Sequence, residues 1–245
     1  MIIEWVGCSG TGKSTLCEGA YNDLLSSGVD VRRPIEIFLG RTVAKAISNE
    51  RLQNVFLDFL VFPWSIGSAI KHRHFFKYCL KILNRDYSSL WQKLKLLRSI
   101  LRKTGIHVFL DSCCNDGRPV LVDEGTVHIA HLLFANGNKN CISEKEIVEF
   151  CEWVPTPDLI VHIMAPESEV IERAFNRNDK PITDTSPDSI KRFLLLGQEI
   201  FKILDDLNPW KTKTITIINL NNPLRNYHDV SLTIANQIKD SFSSL

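Results

Sequence analysis

Apolar positions along the chain switch between a period of two and a period near 3.6, and the switching predicts an order of elements. Ile2-Ile3-Glu4-Trp5-Val6 is short, mostly apolar and rich in β-branched residues, as a buried strand would be. Leu16, Ala20, Leu24 and Leu25 then recur at helical spacing from Ser14 to Leu25, and Ser26-Ser27-Gly28 turns the chain. Val29 to Ile37 reads as a second strand, with Val31, Ile35 and Ile37 apolar and Pro34 placing it at an edge or a strand end. Gly40 to Ile47 reads as a short helix.

Val55 to Ile70 is strongly apolar, but Asp58, Pro63, Ser65 and Gly67 interrupt it, and it is too short and broken to span a bilayer. From Lys71 to Lys103, Phe75, Leu80, Leu83, Trp91, Leu94, Leu97 and Leu101 mark two amphipathic helices joined around Asn84 to Ser88. Gly105 to Ser112 completes that layer. Val120-Leu121-Val122-Asp123 is a buried strand closed by an acid, and Thr126 to Ala135 a helix ended by Asn136-Gly137-Asn138. Ser143, with Glu146 three residues on, forms a capping box for a helix from Glu144 to Trp153. Asp158 to Met164 is another buried strand, in which His162 reads as a satisfied interior side chain. A helix follows from Glu167 to Phe175, a long amphipathic one from Asp188 to Leu207, a β-branched strand from Thr214 to Leu220, and a closing helix from Asp229 to Phe242. Strands alternating with helices predict a three-layer α/β/α domain over residues 1–245, with a parallel sheet of about five strands.

One stretch fixes the chemistry. Gly7-Cys8-Ser9-Gly10-Thr11-Gly12-Lys13-Ser14-Thr15 satisfies G-x-x-x-x-G-K-[ST], the phosphate-binding P-loop, between a strand and a helix as the motif requires. That context points backbone N–H groups and a helix N-terminus at a bound phosphate. Gly7, Gly10 and Gly12 permit the close backbone approach. Ser9, Thr11 and Thr15 complete the cradle, Lys13 reaches the β- and γ-phosphates, and the Ser14 hydroxyl helps hold Mg²⁺. The arrangement implies a nucleoside triphosphate ligand, ATP, since no guanine-reading N-K-x-D loop is present.

Further candidates lie at strand tips and in one loop. Asp123 closes its strand beside the phosphate turn, where a carboxylate orients the Mg²⁺ shell. Glu124 beside it reads as a base, an acceptor contact or a surface residue. Glu36, near the end of the expected second strand, reads as an acceptor contact and general base or as a solvated carboxylate. Arg173 and Arg177, followed by Asn178, Asp179, Lys180 and Pro181, suit a mobile lid over residues 173–187 whose arginines clamp a transferring phosphoryl group.

Bulk properties narrow the partners. The chain has 245 residues and a net charge of +1, so its overall balance points neither to nucleic acid nor to a membrane. Charge is nonetheless concentrated. From Lys71 to Lys103 the segment carries ten Lys and Arg with Asp86 as its only acid, giving a helical layer over 51–103 with a cationic outer face. That face is either solvated or turned to an anionic acceptor, a polyanionic glycan or a lipid surface. Seven cysteines at scattered spacing, with no C-x-x-C, suit reduced thiols in a cytoplasm. The N-terminus enters a strand at once, against a secretory signal.

The order of parts resembles the thymidylate kinase and deoxynucleoside kinase branch of the P-loop kinases over nearly the whole chain. Val31-Arg32-Arg33-Pro34 stands near the R-E-P-G strand end of thymidylate kinases, and Val122-Asp123-Glu124-Gly125 stands at their x-D-R-Y tip. Pro157-Asp158-Leu159-Ile160 matches the P-D-L strand, and Glu172-Arg173-Ala174-Phe175-Asn176-Arg177 the E-R-x-x-x-R lid. The resemblance implies the fold, the use of ATP and Mg²⁺, and the roles of Lys13, Ser14, Asp123, Arg173 and Arg177. It does not carry the acceptor. Glu124 stands where the family has an arginine that grips an acceptor phosphate, and an anion there repels a monophosphate. The expected activity is therefore transfer of the γ-phosphoryl group to a hydroxyl, on a nucleoside or a sugar or glycan end. The alternative class is an ATPase or switch whose basic layer docks a protein or membrane partner. A second copy of the chain is a further expected partner.

Overall fold

The computed structural model describes residues 1–46, 50–113, 117–135, 142–176, 186–207, 213–219 and 227–242. The expected helix stop at Asn136 to Asn138, and Arg177 with the lid loop behind it, lie outside the described residues. Four parallel strands form the sheet in the order β2 (Val120–Asp123), β1 (Ile2–Val6), β3 (Leu159–Met164), β4 (Lys213–Ile218). Ile3 stands opposite Leu121 on one side and Leu159 on the other, which fixes the register of the centre.

The sheet is covered on both faces, in the three-layer manner the pattern predicted. On one face, Ile3, Trp5, Val161 and Ile163 pack against α1 (Lys13–Ser26) and α11 (Tyr227–Phe242) through Leu16, Leu24, Ile234 and Ile238. Ser231 of α11 donates a 2.6 Å hydrogen bond to Asp23 of α1, locking those helices together. On the other face, Val6 and Ile160 meet α5 (Arg73–Asp86), α7 (Ile129–Phe134), α8 (Glu144–Trp153) and α10 (Pro187–Leu207). Trp5 is fully buried at the centre of the first of these layers.

One expectation is corrected. The strand foreseen over Val29–Ile37 shrinks to a single bridge, Arg32 with Val120, so the described sheet has four strands rather than about five. After Arg33 the chain turns into α2 (Pro34–Leu39) and, past Gly40, α3 (Arg41–Ala46). The cause is local: Pro34 enters the first helical turn without needing a donor, and the Glu36 carboxylate accepts the Arg33 backbone N–H at 2.9 Å. The two helices expected from Lys71 to Lys103 are present as α5 and α6 (Leu90–Cys113), and the apolar stretch ahead of them, which the pattern left unassigned, forms a third helix, α4 (Glu50–Lys71). The interruptions in Val55 to Ile70 do not break α4, and Pro63 lies inside it on the exposed side.

α4 and α6 run side by side in the same direction. Asp58 meets Arg98 and Arg102, Lys71 meets Asp111 at 3.0 Å, and Gly105 lies so close to Ser65 that a Cβ would stand 3.0 Å from its Cα. Phe38 of α2 stacks on Phe109 of α6 at 3.9 Å, with Trp64 of α4 edge-on to both. This aromatic cluster holds the α4–α6 pair against the β2 edge. The remaining helix, α9 (Glu167–Asn176), follows β3. Among the described residues no helix is long and apolar enough to cross a membrane.

Candidate active site

The P-loop connects β1 to α1, and its glycines adopt conformations closed to other residues: φ is 149° at Gly7, 93° at Gly10 and 85° at Gly12. Space excludes a side chain as well. A Cβ on Gly7 would strike the Ile163 carbonyl, and one on Gly10 would stand 2.9 Å from the Val170 carbonyl. The loop is braced from within and from β4. Thr11 Oγ1 donates to the Cys8 carbonyl at 3.0 Å, and Asn219, just past β4, donates from Nδ2 to the Thr11 carbonyl at 2.7 Å. α1 opens at Lys13, so its free first-turn N–H groups face the loop. Burial pushes the Cys8 thiol up to about 12, so this cysteine stays a neutral packing residue.

Parallel pairing of β1 with β2 brings the strand tip to the loop, with Trp5 opposite Asp123. Ser14 Oγ donates to Asp123 Oδ2 at 2.9 Å, and Lys13 Nζ lies 2.8 Å from Glu124 Oε1 and 3.7 Å from Asp123 Oδ1. Burial pulls the Lys13 ammonium down, but Glu124 and Asp123 outweigh it and hold the group above its ordinary value. Ser14 and Asp123 present a hydroxyl and a carboxylate together, the hard oxygen donors Mg²⁺ takes.

Glu124 holds a left-handed φ of 61°, unusual for a residue with a Cβ. Three anchors impose it. The Glu124 N–H donates to the Trp5 carbonyl at 3.2 Å. Buried Lys103 of α6 donates to the Glu124 carbonyl. Glu4, wholly buried in β1, accepts the backbone N–H groups of Val127 and His128 at 3.2 and 2.9 Å. Gly125 then fits only because it lacks a side chain, since a Cβ would lie 2.6 Å from Glu4 Oε2. Burial raises the Glu4 carboxyl to about 7 against these hydrogen bonds and nearby Lys103. Burial would raise Glu124 too, but His128, Lys13 and Lys103 prevail and hold it well below the usual carboxylate range. His128 itself is held well below its ordinary value by burial, and His131 is lowered to about 4 by the same cause.

In front of this turn opens a cleft of about 470 Å³. Ser14, Glu18, Arg33, Asp123 and Glu124 line its polar side, Leu57 of α4 with Arg102, Lys103 and Ile106 of α6 its far wall, and Pro34 and Ile35 its floor. Arg33 reaches Glu18 and lies 4.1 Å above the Tyr21 ring. Ser14, Asp123 and Glu124 thus open onto one space, and buried Lys13 reaches the two carboxylates from behind them.

The residues singled out in the sequence divide accordingly. Gly7, Gly10, Gly12, Lys13, Ser14, Asp123 and Glu124 converge, with Ser9, Thr11 and Thr15 in the same loop and helix start. Arg173 of α9 also reaches the loop, donating from Nη1 to the Gly10 carbonyl at 3.2 Å and from Nη2 to Glu169 at 2.6 Å. Glu36 is not with them. It sits in the first turn of α2 and accepts from Tyr21 Oη at 2.5 Å and from Arg33, outside the cleft lining. His162 is satisfied by Asp205 at 2.6 Å. Glu4, Lys103 and Asn219 were missed. For Glu4 the signal was present: a carboxylate in the middle of an otherwise apolar strand needs buried donors.

No family model matches this sequence, and no curated protein matches it. Among solved structures, a deoxyadenosine kinase from M. mycoides, with the products dCMP and a flexible dCDP bound, is similar at 12% identity and a TM-score of 0.49; the match covers 98% of this chain and 100% of that one.

Proposed function

We propose that the chain is an ATP- and Mg²⁺-dependent phosphotransferase that moves the γ-phosphoryl group to a hydroxyl acceptor, a nucleoside or a sugar or glycan end, held in the cleft between the P-loop and α6. The observation that carries this reading is that Ser14, Asp123 and Glu124 line one edge of that cleft, with Ser14 bonded to Asp123 and Lys13 to Glu124. A P-loop that only binds nucleotide has no need of a partly apolar 470 Å³ cleft beside its phosphate end.

Each residue has a part in the proposal. The loop amides and Lys13 hold the β- and γ-phosphates, and Arg173, with Arg177, closes over the phosphoryl group as its charge spreads. Mg²⁺, held through Ser14 and Asp123, supplies neutralisation of phosphate charge. Glu124 is the base. Lys13 now donates to it at 2.8 Å, and a lysine drawn onto phosphate leaves that carboxylate more basic, in step with substrate. Two acids at the acceptor edge favour a hydroxyl, because a phosphate needs cations there. Arg33 and Lys103 are already committed to Glu18 and Glu124.

The switch or ATPase reading leaned on a cationic outer face, and much of that charge is paired internally. Lys71, Lys81, Arg85, Arg98 and Lys103 each face an acid of the same chain. Phosphoryl transfer from γ-labelled ATP with Mg²⁺, against nucleosides, nucleoside monophosphates, sugars and oligosaccharides, tests the proposal with Lys13→Ala as blank. A labelled phosphomonoester is expected. Lys13-dependent free phosphate alone would overturn it.

A further inference from the structure

Most of the charged side chains lining the cleft are accounted for by the phosphate end or by the fold. Asp123 meets Ser14, Glu124 meets Lys13 and Lys103, and Arg102 lies 3.7 Å from Asp58. Glu18 of α1 and Arg33 at the start of α2 have neither part, yet both open onto the same space. They pair with each other.

The pair is well placed to meet a ligand. The Arg33 guanidinium lies 4.1 Å above the ring of buried Tyr21, and the next residue, Pro34, fixes the backbone as α2 begins. The Glu18 side chain is more than half exposed, so its carboxylate has room for a second partner. Ser14 and Glu18 are four residues apart on α1, so they share a face one turn apart, about 6 Å along the axis. An acceptor hydroxyl that attacks beside Ser14, Asp123 and Glu124 therefore brings the ring that carries it within reach of the pair. A nucleobase at the far end of a nucleoside lies beyond that reach.

We propose that the Glu18–Arg33 pair recognises two adjacent hydroxyls on the acceptor ring, a vicinal diol of a ribose or of a sugar end. The inference rests on the phosphotransferase reading above and names the acceptor chemistry within it. Two properties of the pair select hydroxyls. A carboxylate only accepts and a guanidinium only donates, whereas a hydroxyl does both, so neighbouring hydroxyls satisfy the two groups together. The pair also carries no net charge, so an anionic group on the acceptor would meet Glu18 and a cationic one Arg33. On the far wall, Leu57 and Ile106 give the C–H face of such a ring an apolar surface.

Transfer from γ-labelled ATP with Mg²⁺ to matched acceptors tests the assignment. The matched acceptors are uridine against deoxyuridine, adenosine against deoxyadenosine, and mannose against its 2-deoxy analogue. For the accepted pair, kcat/KM of the diol member is expected to exceed that of its deoxy partner by about tenfold or more. Which pair is accepted tells a ribonucleoside from a sugar end. Glu18→Gln, at an exposed position, and Arg33→Lys are each expected to raise acceptor KM about tenfold and to level that preference. KM for MgATP should stay within a few fold, a split that damage to the phosphate end would not produce. Melting temperatures check folding, and Glu18→Gln serves if Arg33→Lys, which also loses the contact with Tyr21, does not fold. Equal use of diol and deoxy members would overturn the inference while leaving phosphoryl transfer intact, as would a diol preference that survives Glu18→Gln. Free phosphate as the sole product with every acceptor would overturn the transfer reading itself, and the inference with it.

Discussion

At the scale of single residues, the site is organised by the Asp123-Glu124-Gly125 tip and what holds it. Lys13→Ala is expected to lower phosphoryl transfer by about two to three orders of magnitude, since it removes the cation aimed at the transferring group. Glu124→Gln should lower kcat while leaving MgATP binding within a few fold; equal loss of both would assign Glu124 to nucleotide binding instead. Gly125→Ala must displace the Glu4 carboxylate or the turn, and its expected signature is lost activity together with a lower melting temperature. Glu4 carries a pH prediction. Its folded carboxyl sits at about 7 against 4.5, so its contribution is fully present below pH 4.5 and lost as pH rises through 7. The loss over that window is about 3 kcal/mol. Relative to wild type, Glu4→Gln should therefore gain stability between pH 5 and pH 8, read as a difference in melting temperature that grows with pH. A constant difference would show that Glu4 is ionised throughout.

At the scale of elements, two helix starts behave differently from what their sequences suggest. Ser143 and Glu146 have the spacing of a capping box, and α8 begins at Glu144 as expected, but the Ser143 side chain makes no capping bond. Glu146 turns away to Arg85 of α5 at 2.5 Å. Ser143→Ala should consequently cost well under the roughly 1 kcal/mol of a working N-cap. α2 shows the converse. Its reciprocal bond from Arg33 to Glu36 was hidden inside an apparent strand, because Ile35 and Ile37 fit a period of two as well as one helical turn. Glu36→Ala is expected to lower stability by about 1–2 kcal/mol, by orphaning Tyr21 Oη and the Arg33 N–H, and to spare the chemistry. Loss of transfer in a well-folded Glu36→Ala would return that residue to the site.

For the whole molecule, the sheet and the phosphate end of the site were legible because they rest on local signals. Ile2–Val6, the glycine turn and the apolar run closing at Asp123 each announce themselves within a few residues. The cleft's far wall was not legible. Lys103 is one cation among ten in its segment, and only the parallel packing of α4 on α6 shows that its ammonium turns inward to Glu124. The same holds for Asn219, whose contact with Thr11 spans most of the chain. The apolar stretch from Val55 to Ile70 was visible as such, but its outward face became apparent only once α6 had claimed the inner one. Packing across long separations decides these features.

The central claim is the fate of one phosphorus atom, and phosphorus NMR of a reaction of MgATP with the acceptor panel follows it directly. ADP is expected together with a phosphomonoester resonance that appears with one hydroxyl acceptor and vanishes in Lys13→Ala. A diphosphate resonance in its place would make the acceptor a phosphate and contradict the role given to Glu124; inorganic phosphate as the sole product would contradict transfer altogether.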